Sequence, residues 1–412
     1  MTHDAPAAPA RPSGSAAEVF RAFLKLGVTS FGGPIAHLGY FREELVARRK
    51  WVSEGQYAEL VALCQFLPGP ASSQVGFALG LIRAGFRGAV AAWVAFTLPS
   101  ALLLVLFAIG AVRLEGIIGQ GLIVGLKAVA VAVVAHAVIG MARTLTPDLR
   151  RILIGLAAVG LALLLPGSLG QIAAILTGLV AGVLWCRGAA VSRAEALTLR
   201  VSRKTGIAAL VVFGCLLVGL PVLAALTQNT WVQIADAFTR AGALVFGGGH
   251  VVLPLLQAEP AVASSIAPEQ FLAGYGAAQA VPGPLFTFAA YLGFDMVPGA
   301  LAPVAALLAL IAVFVPGLLL LVAALPFWDR VRQNPNIRAT LAGANAAVVG
   351  ILAAALWTPV ITSAITGIPS LGIAAACFLL LTVWKLPAWI AVLLGAAAGV
   401  TVTATGVGLA WA

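Results

Sequence analysis

The sequence predicts an all-α polytopic membrane protein made of two inverted-topology repeats, and three observations carry that prediction. Of the 412 residues, 61% are hydrophobic and only 9% charged, against roughly a quarter charged in a soluble domain. Apolar runs at 88–110, 118–139, 206–226 and 388–411 approach or exceed the ~18 residues that cross a bilayer as helix. Short sequence blocks from the first half return in the second, in the same order. The short alternating segments of a membrane barrel are absent.

The repeat is read from four blocks. FLKLGVTSFGG at 23–33 returns as FTRAGALVFGG at 238–248, and QFLPGP at 65–70 returns as QAVPGP at 279–284. FTLPS with Pro99 is answered by VFVPG with Pro316, and GLKA at 125–128 by GANA at 343–346. The offset stays between 214 and 218 residues, so the chain reads as a first repeat over 18–187 and a second over 231–412. A disordered cytoplasmic tail at 1–17 precedes them; it lacks the apolar core of a signal peptide. A basic linker and a connecting transmembrane helix occupy 188–230.

Each repeat is expected to begin with two re-entrant or broken-helix hairpins, an FGG hairpin (18–41 in the first) and a PGP hairpin (55–83). About four spanning helices follow, in the first repeat at 88–110, 118–142, 150–166 and 170–186. With 206–226 the chain makes five crossings before the second repeat begins, and an odd number inverts it. The loop charges agree. With the amino terminus inside, only Arg113 of the 24 Lys and Arg falls in an outer loop, Lys25, Lys127 and Arg240 lie within apolar segments, and the rest are cytoplasmic. That is the positive-inside pattern, and it accounts for the net charge of +10 better than a nucleic-acid partner does.

Inverted repeats with interrupted helices are the architecture of secondary transporters, with substrate near the midplane. The breaks are Pro68, Gly69 and Pro70 in one half and Pro282, Gly283 and Pro284 in the other. Proline fits the first turn of a helix, so half-helices are expected from Ala71 and Leu285, their free amides and partial positive charge aimed into the membrane as anion sites. Gly32 and Gly33, with Gly247 and Gly248, open the second arm of each FGG hairpin in the same way. Ser72, Ser73, Gln74 and Thr287 add neutral donors. Lys25 and Arg240 each stand six residues before an FGG, and intramembrane cations mark a pathway by default; both are read as drawing an anion in. Lys127 is a weaker third candidate, because its repeat partner is the neutral Asn345. His37 and His250 are candidate relays or donors, and Glu59 and Asp236 are acidic candidates for proton coupling. Cys64, Cys186, Cys215 and Cys377 share no metal spacing. No catalytic triad, HExxH, paired carboxylates or nucleotide-binding loop is found, so neither an enzyme nor a cofactor or metal is expected.

In SFGGPIAHLGY (30–40), FLPGPASSQ (66–74), FGGGHVVLPLL (246–256) and VPGPLFTF (281–288) the chain resembles the chromate ion transporter (CHR) family in its long two-domain form. The resemblance covers nearly the whole chain apart from tail and linker. It implies export of chromate from the bacterial cytoplasm, resistance to chromate, an inner-membrane location and antiparallel halves. Sulfate, also a tetrahedral dianion, is a look-alike, and a sulfate importer or exchanger is the alternative, ahead of a non-transport membrane module. A homodimer in the lipid bilayer is a further expectation. The second half departs from the first with Gly249 in place of Pro34 and Val252 in place of His37, so the halves are not expected to contribute equally.

Overall fold

The computed structural model describes residues 14–111, 116–165, 167–186 and 201–405. Residues 1–13 of the expected 1–17 tail, Arg113, Pro166, residues 187–200 and the end of the last apolar run lie outside them, while Ala16 and Ala17 of that tail are helical. Among the described residues every regular element is a helix.

In the first half, α1 (Ala16–Thr29) is opened by the Ser15 side chain, which accepts from the Glu18 amide at 3.1 Å. It ends at the FGG break, where Gly32 and Gly33 take φ of +103° and +79°, a region that glycine enters without a Cβ clash. The return arm is α2 (Gly33–Phe41), continuing into a wide π-helical turn, Arg42–Arg48. A capping box of Ser53 and Gln56 starts α3 (Glu54–Phe66). After the PGP break, α4 (Ala71–Ala111) kinks at Ala84 and Gly85, so its first part is the hairpin's return arm and the remainder a spanning helix. Then come α5 (Gly116–Leu145), α6 (Leu149–Leu164), α7 (Gly167–Trp185) and the connecting α8 (Arg203–Thr227).

The second half repeats this order with shorter pieces. α9 (Thr230–Leu244) leads to the second FGG, a 3-10 turn Gly249–Val251 and the brief α10 (Val252–Gln257) and α11 (Pro260–Ser265). α12 (Pro268–Ala278), a 3-10 turn Leu285–Thr287 and α13 (Phe288–Met296) form the PGP hairpin. A bend at Gly299 answers the one at Gly85, with φ of +85° against +63°. α14 (Ala302–Ala324), α15 (Trp328–Gln333), α16 (Pro335–Ala355), α17 (Thr362–Ala364), α18 (Ile368–Thr382) and α19 (Ala388–Ala404) complete the chain.

Six of the described helical stretches are long and apolar enough to cross a membrane, and shorter apolar helices accompany them. At 16 residues, α6 is about 24 Å long and falls short of a full span. Counting α4 beyond its kink, five helices stand between the first PGP arm and α9, and four of them are long and apolar enough to cross.

Two helices are exchanged between halves. α5 packs on α18 and α19, while its counterpart α16 packs on α6 and α7. Glycines allow both contacts. A Cβ on Gly121 or Gly125 would strike the α19 backbone near Gly399 and Gly395, and one on Gly178 or Gly182 would strike α16 near Gly343. In lipid, where apolar burial between helices gives little, such close backbone approach supplies the packing energy.

Candidate functional site

The two halves are tied together at their helix breaks, reciprocally. The Gly69 amide of the first PGP donates to the Val245 carbonyl at 2.7 Å, and the Gly283 amide of the second donates to the Ser30 carbonyl at 2.9 Å. Ser30 and Val245 each precede an FGG. Gly69 also lies against Gly317, and Gly283 against Ser100, again equivalent positions just after Pro316 and Pro99. Gly249 faces Pro34, its own counterpart. The sequence reading has the two PGP-started half-helices converging on one another. In the structure the partner of each PGP break is the FGG break of the opposite half.

The chemistry gathers at the start of α4. Proline at position 70 cannot donate, and the first-turn amides of α4 have no intrahelical acceptor, so its end is a field of donors. Around it His37, Ser72 and Ser73 are buried, with Ser30 and Thr97. His37 Nδ1 is 3.3 Å from Ser72 Oγ, and its ring stands edge-on to Phe96 at 5.3 Å. Ser30, whose carbonyl binds Gly283, also acts on the His37 ring through its backbone. Ser100 Oγ donates to the Thr97 carbonyl at 3.1 Å and reaches Gly283 on its other side. Four polar atoms here, Ser30 Oγ, His37 Nε2, Ser73 Oγ and Thr97 Oγ1, are buried without a hydrogen-bond partner among the described residues. Leaving a buried polar group unpaired costs about 1–3 kcal/mol, so several together call for an occupant. Beyond the Gly283–Ser30 bond an apolar cavity of about 520 Å³ is lined by Phe31, Pro99, Leu126 and Pro282, among others, with no charged side chain.

Other sequence candidates have different surroundings. Gln74 spends both amide hydrogens on carbonyls, Pro68 at 3.0 Å and Gly317 at 2.8 Å, and so clamps the halves together. Thr287 donates to Pro284 at 2.7 Å within its own turn. Gly247 and Gly248 lead into a 3-10 turn and a six-residue helix, too short for an appreciable dipole. His250 Nδ1 is 2.8 Å from the Tyr275 hydroxyl. Lys127 is buried in α5 beside α12, with Glu269 the acid that acts on it, while Asn345 lies beside Gly247. Glu59 accepts from Trp328 Nε1 at 2.6 Å.

Lys25 and Arg240 are not free cations. Lys25 is 3.0 Å from Glu44, which also binds Arg48 at 2.8 Å and Arg49 at 2.9 Å. Arg240 is 2.6 Å from Glu259 and 2.9 Å from Asp236. Glu44 and Glu259 were missed in the sequence, yet they stand at the same 215-residue offset as Lys25 and Arg240. That shared offset was the signal. Ser30 and Thr97 were missed because nothing local distinguishes a hydroxyl facing a helix end from one facing lipid.

Comparison with known proteins follows the same lines. The model of the family described as chromate transporter matches twice, at residues 17–184 and 232–400. A probable chromate transport protein of Synechococcus elongatus is 32% identical over 354 residues, 84% of each chain. A chromate transport protein of Pseudomonas aeruginosa is 29% identical, covering 83% of this chain and 80% of its own. One of Cupriavidus metallidurans is 28% identical over 81% and 80% respectively. No solved structure gives a significant match.

Proposed function

Because the chain belongs to the chromate transporter family, we propose that it is a secondary transporter that exports chromate from the bacterial cytoplasm across the inner membrane, its amino terminus cytoplasmic, and so confers resistance. The observation that carries the site assignment is the set of unpartnered buried donors, with His37 and Ser73 foremost, around the first turn of α4. A tetrahedral dianion offers four acceptor oxygens, and a helix N-terminus with hydroxyls and an imidazole N–H meets them without a buried cation. Lys25, Arg48 and Arg49 around Glu44 at the cytoplasmic hairpin hold an excess of positive charge, which supports collection of anions on that side.

Direction follows from the potential. Each charge crossing ~100 mV changes free energy by roughly 2.3 kcal/mol, so a dianion leaving a negative interior moves downhill by about twice that. The test is uptake of labelled chromate into everted vesicles, where export becomes accumulation in the lumen. Accumulation is expected to rise with a lumen-positive potential, and excess sulfate to compete. Uptake indifferent to potential would contradict this driving force, and accumulation only in right-side-out vesicles would contradict export.

A further inference from the structure

The two equivalent ion clusters carry opposite excess charge. At the first hairpin three cations surround one carboxylate; at the second, one cation serves two. Arg21 stands where the repeat has Asp236. A single guanidinium nitrogen, Arg240 Nη2, contacts both Asp236 Oδ2 and Glu259 Oε2. Glu259 is 2% exposed and Asp236 7%, and Arg240 Nε has no partner. Two ionised carboxylates on one cation, out of water, leave an uncompensated negative charge that burial opposes strongly. The inexpensive remedy is a proton.

Resting on the transporter reading above, we propose that the Asp236–Arg240–Glu259 triad is a proton-binding site, with Glu259 the carboxyl that takes up and releases the proton on the outer face. Glu259 lies in the turn between α10 and α11, which the inverted arrangement with a cytoplasmic amino terminus puts on the outside. Arg240, a quarter exposed, gives water its access. Uptake moves one proton from solution to a Glu259 oxygen and leaves a neutral triad. Of the neighbouring elements, α13, packed on α11, brings Tyr291 and Asp295, the latter bonded by Gln270, and the turn before α10 brings His250, bonded to Tyr275. α10, α11 and α14 contain no titratable side chain, and α8 has only Cys215 and, at its far end, Arg203 and Lys204. Burial pushes Glu259 up to about 7, Arg240 opposing. At Glu44 burial also resists ionisation, but Lys25 and Arg49 prevail and hold that carboxyl below its ordinary range.

The triad is wired to the anion site. α9 carries both Asp236 and Arg240 and ends at Leu244, and the next carbonyl, Val245, holds the Gly69 amide at the base of α4. From Glu259, α10 leads back to Gly249, which lies against Pro34 of the first FGG. A change of charge at the triad therefore acts on both arms that frame the donors of α4.

Infrared titration of the purified, substrate-free protein tests the site without any transport. A protonated carboxyl band is expected to disappear with a midpoint of about 7 and to be missing from Glu259→Gln. Asp236→Asn should keep the band but lower its midpoint below that of the wild type, since a like charge is removed. In vesicles, Glu259→Gln should lose the dependence of chromate uptake on luminal pH. A band that survives in Glu259→Gln, or a midpoint unmoved in Asp236→Asn, would overturn the proposal. Should Glu259→Gln fail to fold, Asp236→Asn decides. Because the titration needs no chromate, a negative result leaves the export reading standing, and loss of export leaves the titration standing.

Discussion

At the residue scale, the same substitution at two equivalent positions should have unequal effects. Removing Lys25 leaves Glu44 with Arg48 and Arg49, and Lys25 itself is half exposed. Lys25→Gln should therefore shift stability by no more than about 1 kcal/mol. Among the described residues Arg240 is the one cation paired with two buried carboxylates, and Arg240→Gln should cost about 3–5 kcal/mol. Thermal melts of the detergent-purified variants compare the two directly, and equal shifts would show that the clusters are alike. The melts should also respond to pH through Glu259. Its folded pKa is raised from 4.5 to about 7, so its contribution is fully present below the unfolded value and is lost as pH rises through about 7. Glu259→Gln should flatten that fall.

At the element scale, the helix breaks were legible in the sequence and their partners were not. Pro70 and Pro284 announce where α4 and the turn before α13 start, because proline suits a first turn and excludes what precedes it. What the break touches depends on the other half, 176 residues away for the Gly69–Val245 bond, and no local property of FLPGPASSQ encodes it. The glycines show the difference. Gly69 has φ +118°, and an added Cβ would lie 2.8 Å from Gly317 Cα; Gly33 has φ +79° but nothing within 4 Å. Gly33→Ala should cost only the backbone strain, about 1–2 kcal/mol. Gly69→Ala adds a backbone collision that neither half can relieve alone, for a total of about 2–5 kcal/mol. The fraction of monodisperse protein recovered after graded heating separates the two.

At the scale of the whole molecule, the exchange of α5 and α16 and the reciprocal PGP–FGG bonds make one body of two repeats. Duplication could be read from aligned blocks, because it is a property of the chain in order, and the family match falls on both halves. The exchange could not, since small residues at 121, 125, 343, 395 and 399 announce close packing without naming the partner. The site followed the same division. His37, Ser72 and Ser73 stood out beside the breaks, whereas Ser30 and Thr97 joined them only through packing. α4, 41 residues long including its kink, begins among buried polar atoms that have no partner among the described residues, while its counterpart begins as a 3-10 turn whose threonine is already bonded. The account thus centres on one anion site, at the start of α4, within a two-fold frame. Equilibrium binding of chromate to the purified protein and to its Ser73→Ala variant tests that most directly. Ser73 Oγ has no partner among the described residues, so its removal should leave the melting temperature unchanged or slightly raised. Affinity should fall by between about tenfold and a hundredfold, as expected for one hydrogen bond to a charged ligand. Chromate bound as tightly by Ser73→Ala as by the wild type would contradict it.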